Sequence, residues 1–241
     1  MRIGDEFQNQ TKYFRDSSPA MAANEKVMPP YKEYPADHPR ITLPEPMREG
    51  GKPLFTLCSK RRSVRRYQQE EVTLASLGQI LWAAQGVTLN TGRHLFRTVP
   101  SAGALYPLET YVLANKVDGL AKGIYHYEVP GHRLTEVTSG DFGPALTHAA
   151  LGQKMVQQAS CTLIWSMIAA RAKRKYSQRA YRYIYMDAGH SAQNVALAAV
   201  SLGLGSCQIA AFFDQEVNDL LGLDGQDETA IYLTAVGIPA G

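Results

Sequence analysis

Lys60, Arg61, Arg62, Arg65 and Arg66 put five cations into seven residues, with Ser63 and Val64 between them. Forked guanidinium groups together with a hydroxyl are a donor set that grips phosphate. The chain as a whole is nearly balanced, with 25 Lys and Arg against 22 Asp and Glu, so the cluster is a local concentration of charge. Spacing alone leaves three readings open: a solvated patch, a nucleic-acid contact, or the phosphate of a small cofactor. A net charge of +3 is too small to imply nucleic acid from composition. No helix-turn-helix, zinc-finger or RNA-binding signature accompanies the cluster either.

A second basic group, RAKRKYSQRAYR at residues 171–182, carries six cations in twelve residues. On a continuous helix Arg171, Lys175, Arg179 and Arg182 form one stripe, read either as a solvated face or as part of a site. Other chemistries find less support. The six histidines are scattered without HExxH or a cysteine partner at ligand spacing, so no metal is expected. Ser101 and Ser191 lack the strand-turn-helix setting of a nucleophile elbow. Cys58, Cys161 and Cys207 are far apart and form no CxxC pair, which fits reduced thiols in the cytoplasm.

Two loops of small residues complete the set. VPSAGALYPLETYV, from Val99, allows close backbone approach by a planar ring. LGLGSCQIAAF, from Leu202, is a second such loop after a helical pattern; it lacks the third glycine and the preceding strand of a dinucleotide fingerprint. An Arg/Ser cluster with two small-residue loops describes a cofactor with one phosphate and one flat ring.

The elements that would position these groups follow from periodicity. Seven of the 13 prolines fall in residues 1–50, which predicts an extended arm with little helix ahead of a domain at 51–241. Leu74, Leu77, Leu81 and Ala84 recur at helical spacing up to Gly86. Glu109–Ala114 reads as a strand, residues 122–137 as a hairpin turning at Pro130-Gly131, and CTLIWSMIA as a buried strand. The pattern is helical again over 141–159 and from about Arg171 to Leu202. A last helix is expected with Asp214 as N-cap, followed by the closing strand AIYLTAVGIP. Helices and strands mix without a βαβ rhythm, which fits an α+β fold. The chain opens without an apolar signal core. Its one apolar run of membrane length, residues 194–213, is interrupted by Asn194, Gln208 and a GLGS turn and reads as core, so no membrane is expected.

RRSVRRY, PSAGALYPLETYV, DAGHSAQNVALAAVSLGLGSC and AVGIP, in that order, resemble the FMN-dependent nitroreductase superfamily. With the N-terminal TKYFRD, PPYKEYP and RITLP and the central RKYSQRAYRYIYMDAGH, the chain is most similar to the SagB-type dehydrogenases, which include azoline oxidases. The resemblance implies a nitroreductase-like fold, with a mainly antiparallel central sheet flanked by helices in an intertwined homodimer. It implies two FMN molecules at the subunit interface. Arg61, Arg62, Ser63 and Arg65 would hold the flavin phosphate and ribityl end. Pro100, Ser101, Ala102, Gly103 and Leu105 of the other subunit would line the ring, and Ala210 and Ala211 would lie near N5. Lys175 and Tyr176 match a Lys-Tyr pair that serves as acid/base partners in the azoline oxidases. Many nitroreductases carry a Lys or Arg beyond the final strand, where this chain reads VGIPAG. The activity implied is ping-pong hydride transfer between flavin N5 and a small molecule or modified peptide. The alternatives are an NAD(P)H-dependent nitro/quinone reductase, or a flavin-binding module active only with a partner protein.

Overall fold

The computed structural model describes residues 2–15, 25–92 and 94–241. In chain order, α1 spans Ile3–Gln10, β1 Arg40–Thr42, α2 Leu54–Lys60, β2 Val72–Thr73 and α3 Leu74–Gln85. Then come β3 (Val87–Asn90), β4 (Leu95–Arg97), β5 (Leu108–Ala114), β6 (Val117–Asp118), β7 (Gly123–Glu128) and β8 (Arg133–Ser139). The second half holds α4 (Gly143–Ala149), α5 (Met155–Gln158), β9 (Cys161–Met167), α6 (Ala170–Tyr176) and α7 (Ala180–Ser201). It closes with β10 (Gly205–Ile209), α8 (Asp214–Leu221) and β11 (Thr229–Gly237).

Seven strands form one sheet in the order β1-β8-β7-β5-β9-β11-β10. Every pairing in it is antiparallel. All residues of β5 and β9 are buried, as expected of central strands covered on both faces. Alternation sends Leu108 and Val112 of β5, with Leu163 and Trp165 of β9, to one face under α3, α6 and α7. Tyr111, Leu113 and Ile164 go to the other face, under α4, α5 and α8. Each large aliphatic side chain fully buried in these layers contributes about 1.5–3 kcal/mol.

The helix α3 begins where Thr73 accepts a hydrogen bond from the Ser76 backbone at 3.1 Å and stops at Gly86, as the sequence pattern predicts. Along α7 the buried face is built mostly of alanine, with Ile184 and Val195 among Ala180, Ala188, Ala192 and Ala199, and this lets the helix lie close on the sheet. Asp214 is the first helical residue of α8 and Phe213 its N-cap, one position from the sequence expectation.

Two expectations are corrected. The stretch after Arg171 is not one helix. Ser177 has φ +47°, which ends α6, and a 3₁₀ turn at Ser177–Arg179 re-aims the chain into α7. The arm also contains a helix, α1, with Asp5 and Glu6 in its first turn, where the helix dipole favours acids. Its far end is held by cations from another element. Arg182 donates to the Gln8 carbonyl at 2.5 Å and to Thr11 Oγ1 at 2.7 Å, and Arg179 donates to the Thr11 carbonyl. The second basic group is therefore not a solvated stripe: Arg171 is buried, and Arg179 and Arg182 fasten the arm.

Candidate functional site

The basic segment follows α2 and runs extended rather than standing directly before a helix, for α3 starts only at Leu74. It is laced along the edge strand β10. Ser63 bridges Ser206 in parallel, and the Val64 backbone donates to the Ser206 carbonyl at 2.9 Å. Gly205 makes this approach possible, since a Cβ there would lie 2.6 Å from Val64 Cγ2. Buried Tyr67 then pins the segment, donating to the Val64 carbonyl at 2.7 Å and the Ala235 carbonyl at 3.2 Å. Arg62 and Arg65 are exposed and Arg61 half-buried. Arg62 donates to the Ser59 and Arg61 carbonyls, and among the described residues none of the cluster's arginines forms an ion pair with a carboxylate. Ala210 and Ala211 lie exposed just beyond the end of β10, so backbone topology joins them to the basic segment.

The loop from Pro100 to Leu105 is elsewhere in the chain, and Ser101 organises it. Its Oγ donates to Asp187 Oδ2 of α7 at 2.5 Å and accepts from the Tyr106 backbone at 3.0 Å. Burial pushes the Asp187 carboxyl above its ordinary range, and the hydrogen bonds from Ser101 and the Ala102 backbone offset part of that push. Gly103, Ala104 and Tyr106 have φ of +65°, +55° and +45°. Three left-handed residues in four is strained backbone of the kind found at ligand clamps.

Lys175 and Tyr176, at the end of α6, close over this loop. A Cβ on Gly103 would lie 2.7 Å from Tyr176 Oη and 2.9 Å from Lys175 Nζ. Tyr176 is steadied edge-on against Tyr183 at 4.9 Å between centroids, and Lys175 Nζ lies 5.4 Å from the Tyr176 ring. The structure thus brings the Lys-Tyr pair to Pro100–Leu105 within one chain. It also brings Arg61–Arg65 to Ala210–Ala211 along β10. Gln208 of β10 donates to the Ala192 carbonyl of α7 at 3.4 Å, and Asp187, which holds the loop, lies five residues earlier on the same helix.

A buried polar network lies beside the loop, and the sequence reading did not find it. Glu109 Oε1 accepts from Arg171 at 2.6 Å, and its Oε2 accepts from His126 Nε2 at 2.9 Å. Glu228 accepts from Tyr111 at 2.8 Å, Ser166 at 2.6 Å and Lys32 at 2.7 Å. Glu109 and His126 stand at inward positions of strands, and a polar residue in that register was the available signal.

The residues present fit a flavin mononucleotide: unpaired guanidinium groups and a hydroxyl for one phosphate, and a strained small-residue loop facing a lysine and a tyrosine for a ring. Similarity to known proteins gives the family. Residues 58–238 match the description of the nitroreductase family. The nitroreductase-like protein MJ1384 of Methanocaldococcus jannaschii is 44% identical over 162 residues, covering 67% of this chain and 80% of its own. The trifolitoxin-processing protein TfxB of Rhizobium leguminosarum bv. trifolii is 33% identical over 166 residues. That match covers 62% of this chain and only 42% of TfxB. A nitroreductase-like crystal structure from Anabaena variabilis superposes with a TM-score of 0.79 at 29% identity, covering 98% of this chain and 47% of the other. Among the described residues no helix is long and apolar enough to cross a membrane. The chain belongs to the nitroreductase family of oxidoreductases, close to its SagB-type members.

Proposed function

We propose that the chain is an FMN-dependent oxidoreductase of the SagB type, working by ping-pong hydride transfer. The observation that carries this reading is the convergence of Lys175 Nζ and Tyr176 Oη on Gly103 of the strained loop. When bound, FMN supplies the hydride acceptor at N5. Arg61, Arg62, Ser63 and Arg65 hold the phosphate and ribityl end, and the backbone near Ala210 and Ala211 lies against N5. Pro100, Ser101, Ala102, Gly103 and Leu105 line the ring, with Asp187 fixing the loop through Ser101. Lys175 and Tyr176 hold and move the proton that accompanies hydride loss from the substrate.

In this reading the protein is a homodimer in which each flavin is met by Arg61–Arg65 of one chain and Pro100–Leu105 of the other. Tyr185 and Met186 leave an apolar stripe on α7 that is 53% and 57% exposed, and Phe55 of α2 is 86% exposed, so a face is present for a second copy. In this reading residues 1–50 are an arm on a flavin domain at 51–241, and the enzyme works in the cytoplasm on a small molecule or modified peptide. TfxB, named for processing trifolitoxin, favours a modified peptide. MJ1384, named as a nitroreductase, favours a second reading, an NAD(P)H-dependent nitro/quinone reductase. A module that acts only with a partner protein is the third.

The test is the absorption spectrum of the purified protein, followed by titration with NADH, NADPH or a thiazoline-containing peptide. A yellow dimer bleached by the peptide supports the SagB-type reading, bleaching by a nicotinamide alone supports the second, and bleaching by none supports the third. A colourless monomer that riboflavin 5′-phosphate does not reconstitute would remove all three. Arg65→Ala is expected to weaken FMN retention by about 1.5–3 kcal/mol, the size of a charge-assisted contact, measured by equilibrium dialysis. Unchanged retention would take Arg65 out of the phosphate site.

A further inference from the structure

A cavity of about 400 Å³ lies between residues 31–34 of the arm, the start of β5 and the β7–β8 turn. That volume is within the range of small-molecule sites. None of the residues assigned to the flavin lines it, nor does Lys175 or Tyr176. Its cations and anions are mostly spoken for. Arg40 and Arg133 both pair with Glu128, Lys32 pairs with Glu228, and Glu109 pairs with Arg171. Apart from the exposed Glu33, which forms no ion pair among the described residues, Arg97 is the exception. It is 8% exposed, and among the described residues it forms no ion pair. Its Nη1 donates to the neutral Gln85 Oε1 at 2.8 Å, and its Nε has no hydrogen-bond partner. The Tyr106 ring lies 4.4 Å from the guanidinium and the Tyr31 ring 5.8 Å away. Among the cavity's wall residues, His126 also has an unpartnered buried atom, Nδ1.

A buried cation with no direct ion-pair partner, attracted only at a distance by Glu109, is costly to keep, and an anion that enters beside it offsets that cost. A guanidinium fork and stacked rings match a planar monoanion on a flat organic body. Glu33, Glu109 and Glu128 in the same wall oppose a more highly charged phosphate. We propose that this cavity binds a small organic carboxylate, with Arg97 gripping the anion and Tyr31, Tyr34 and Tyr127 enclosing its body. The strap that covers it is anchored from both sides: Lys32 donates to Tyr111 at 2.6 Å, and Arg40 donates to the Tyr34 carbonyl at 3.0 Å. The proposal does not rest on the flavin assignment.

The probe is 4-bromobenzoate, titrated calorimetrically into the purified wild-type protein and soaked into its crystals. Saturable binding is expected, with the bromine's anomalous peak inside the cavity. The neutral isostere 4-bromobenzamide and the variant Arg97→Lys should each bind about tenfold weaker or worse, since a forked charge-assisted contact is lost. Should Arg97→Lys fail to fold by circular dichroism, the bromine position and the benzamide comparison decide. No saturation, equal affinity for the amide, tighter binding of inorganic phosphate, binding at crystal concentration only, or a bromine peak elsewhere would each overturn the proposal.

Discussion

Glu109→Gln is expected to destabilise the folded chain by about 3–5 kcal/mol, because it leaves Arg171 charged and buried without its carboxylate. Arg171 and Glu109 have side chains only 3% and 7% exposed, and their contact is 2.6 Å. Burial alone would push the Glu109 carboxyl up. The hydrogen bond from His126 and the nearby Arg171 charge overcome that and hold it at about 2, against an ordinary 4.5. A depressed folded value means stability that is fully present above pH 4.5 and lost as pH falls toward 2. Over that window the wild type should lose about 3 kcal/mol through this group, and Glu109→Gln should lack that part of the slope. Urea unfolding of both proteins at several pH values measures it. Since whole domains are stable by only about 5–15 kcal/mol, the effect is large. A cost below about 1 kcal/mol, or parallel acid slopes, would show that the network adds little. Arg171 also lies in the first turn of the helix that ends in Lys175 and Tyr176, so this ion pair ties the acid/base candidates to the central strand.

The same residue shows where sequence reading stops. Arg171 falls on a stripe with Lys175, Arg179 and Arg182 when only its own segment is considered, and such a stripe reads equally as a solvated face or as part of a site. Its partner Glu109 is on β5, and no periodicity reports a pairing across that separation. The break at Ser177 was hidden for a related reason. Left-handed backbone is signalled by glycine or asparagine, and here serine adopts it where the packing of α6 and α7 requires a turn. By contrast, β5 and β9 were legible as short runs rich in strand-forming residues, buried throughout, and α3 by its 3.6-residue period with Gly86 marking its stop. The arm was half legible. Its prolines all lie at or beyond Pro19, so averaging over fifty residues concealed α1, which precedes them. The candidate site was visible as small residues and clustered charge, while the hold of Asp187 on Ser101 depended on a fold not yet known.

Lys175→Ala combined with Tyr176→Phe is expected to slow substrate oxidation by about 10²–10⁴-fold, the usual contribution of positioned acid/base groups, while the protein stays yellow. The substrate for the assay is whichever of NADH, NADPH and a thiazoline-containing peptide bleaches the wild type. Gly103→Ala supplies an independent approach to the same atoms. The new Cβ would stand 2.7 Å from Tyr176 Oη and 2.9 Å from Lys175 Nζ, so both side-chain ends must withdraw from the loop. Those ends are flexible, and the left-handed φ of +65° adds a backbone cost of about 1–2 kcal/mol, so the fold should survive. Gly103→Ala alone should slow turnover, yet added to the double variant it should slow it little further, because residues that act through the same contact are not additive. Measured kcat values for the four proteins close the cycle. Full turnover in the double variant would remove Lys175 and Tyr176 from the chemistry and leave them as loop packing. Fully additive effects would instead mean that Gly103 matters for the ring and not for the pair above it.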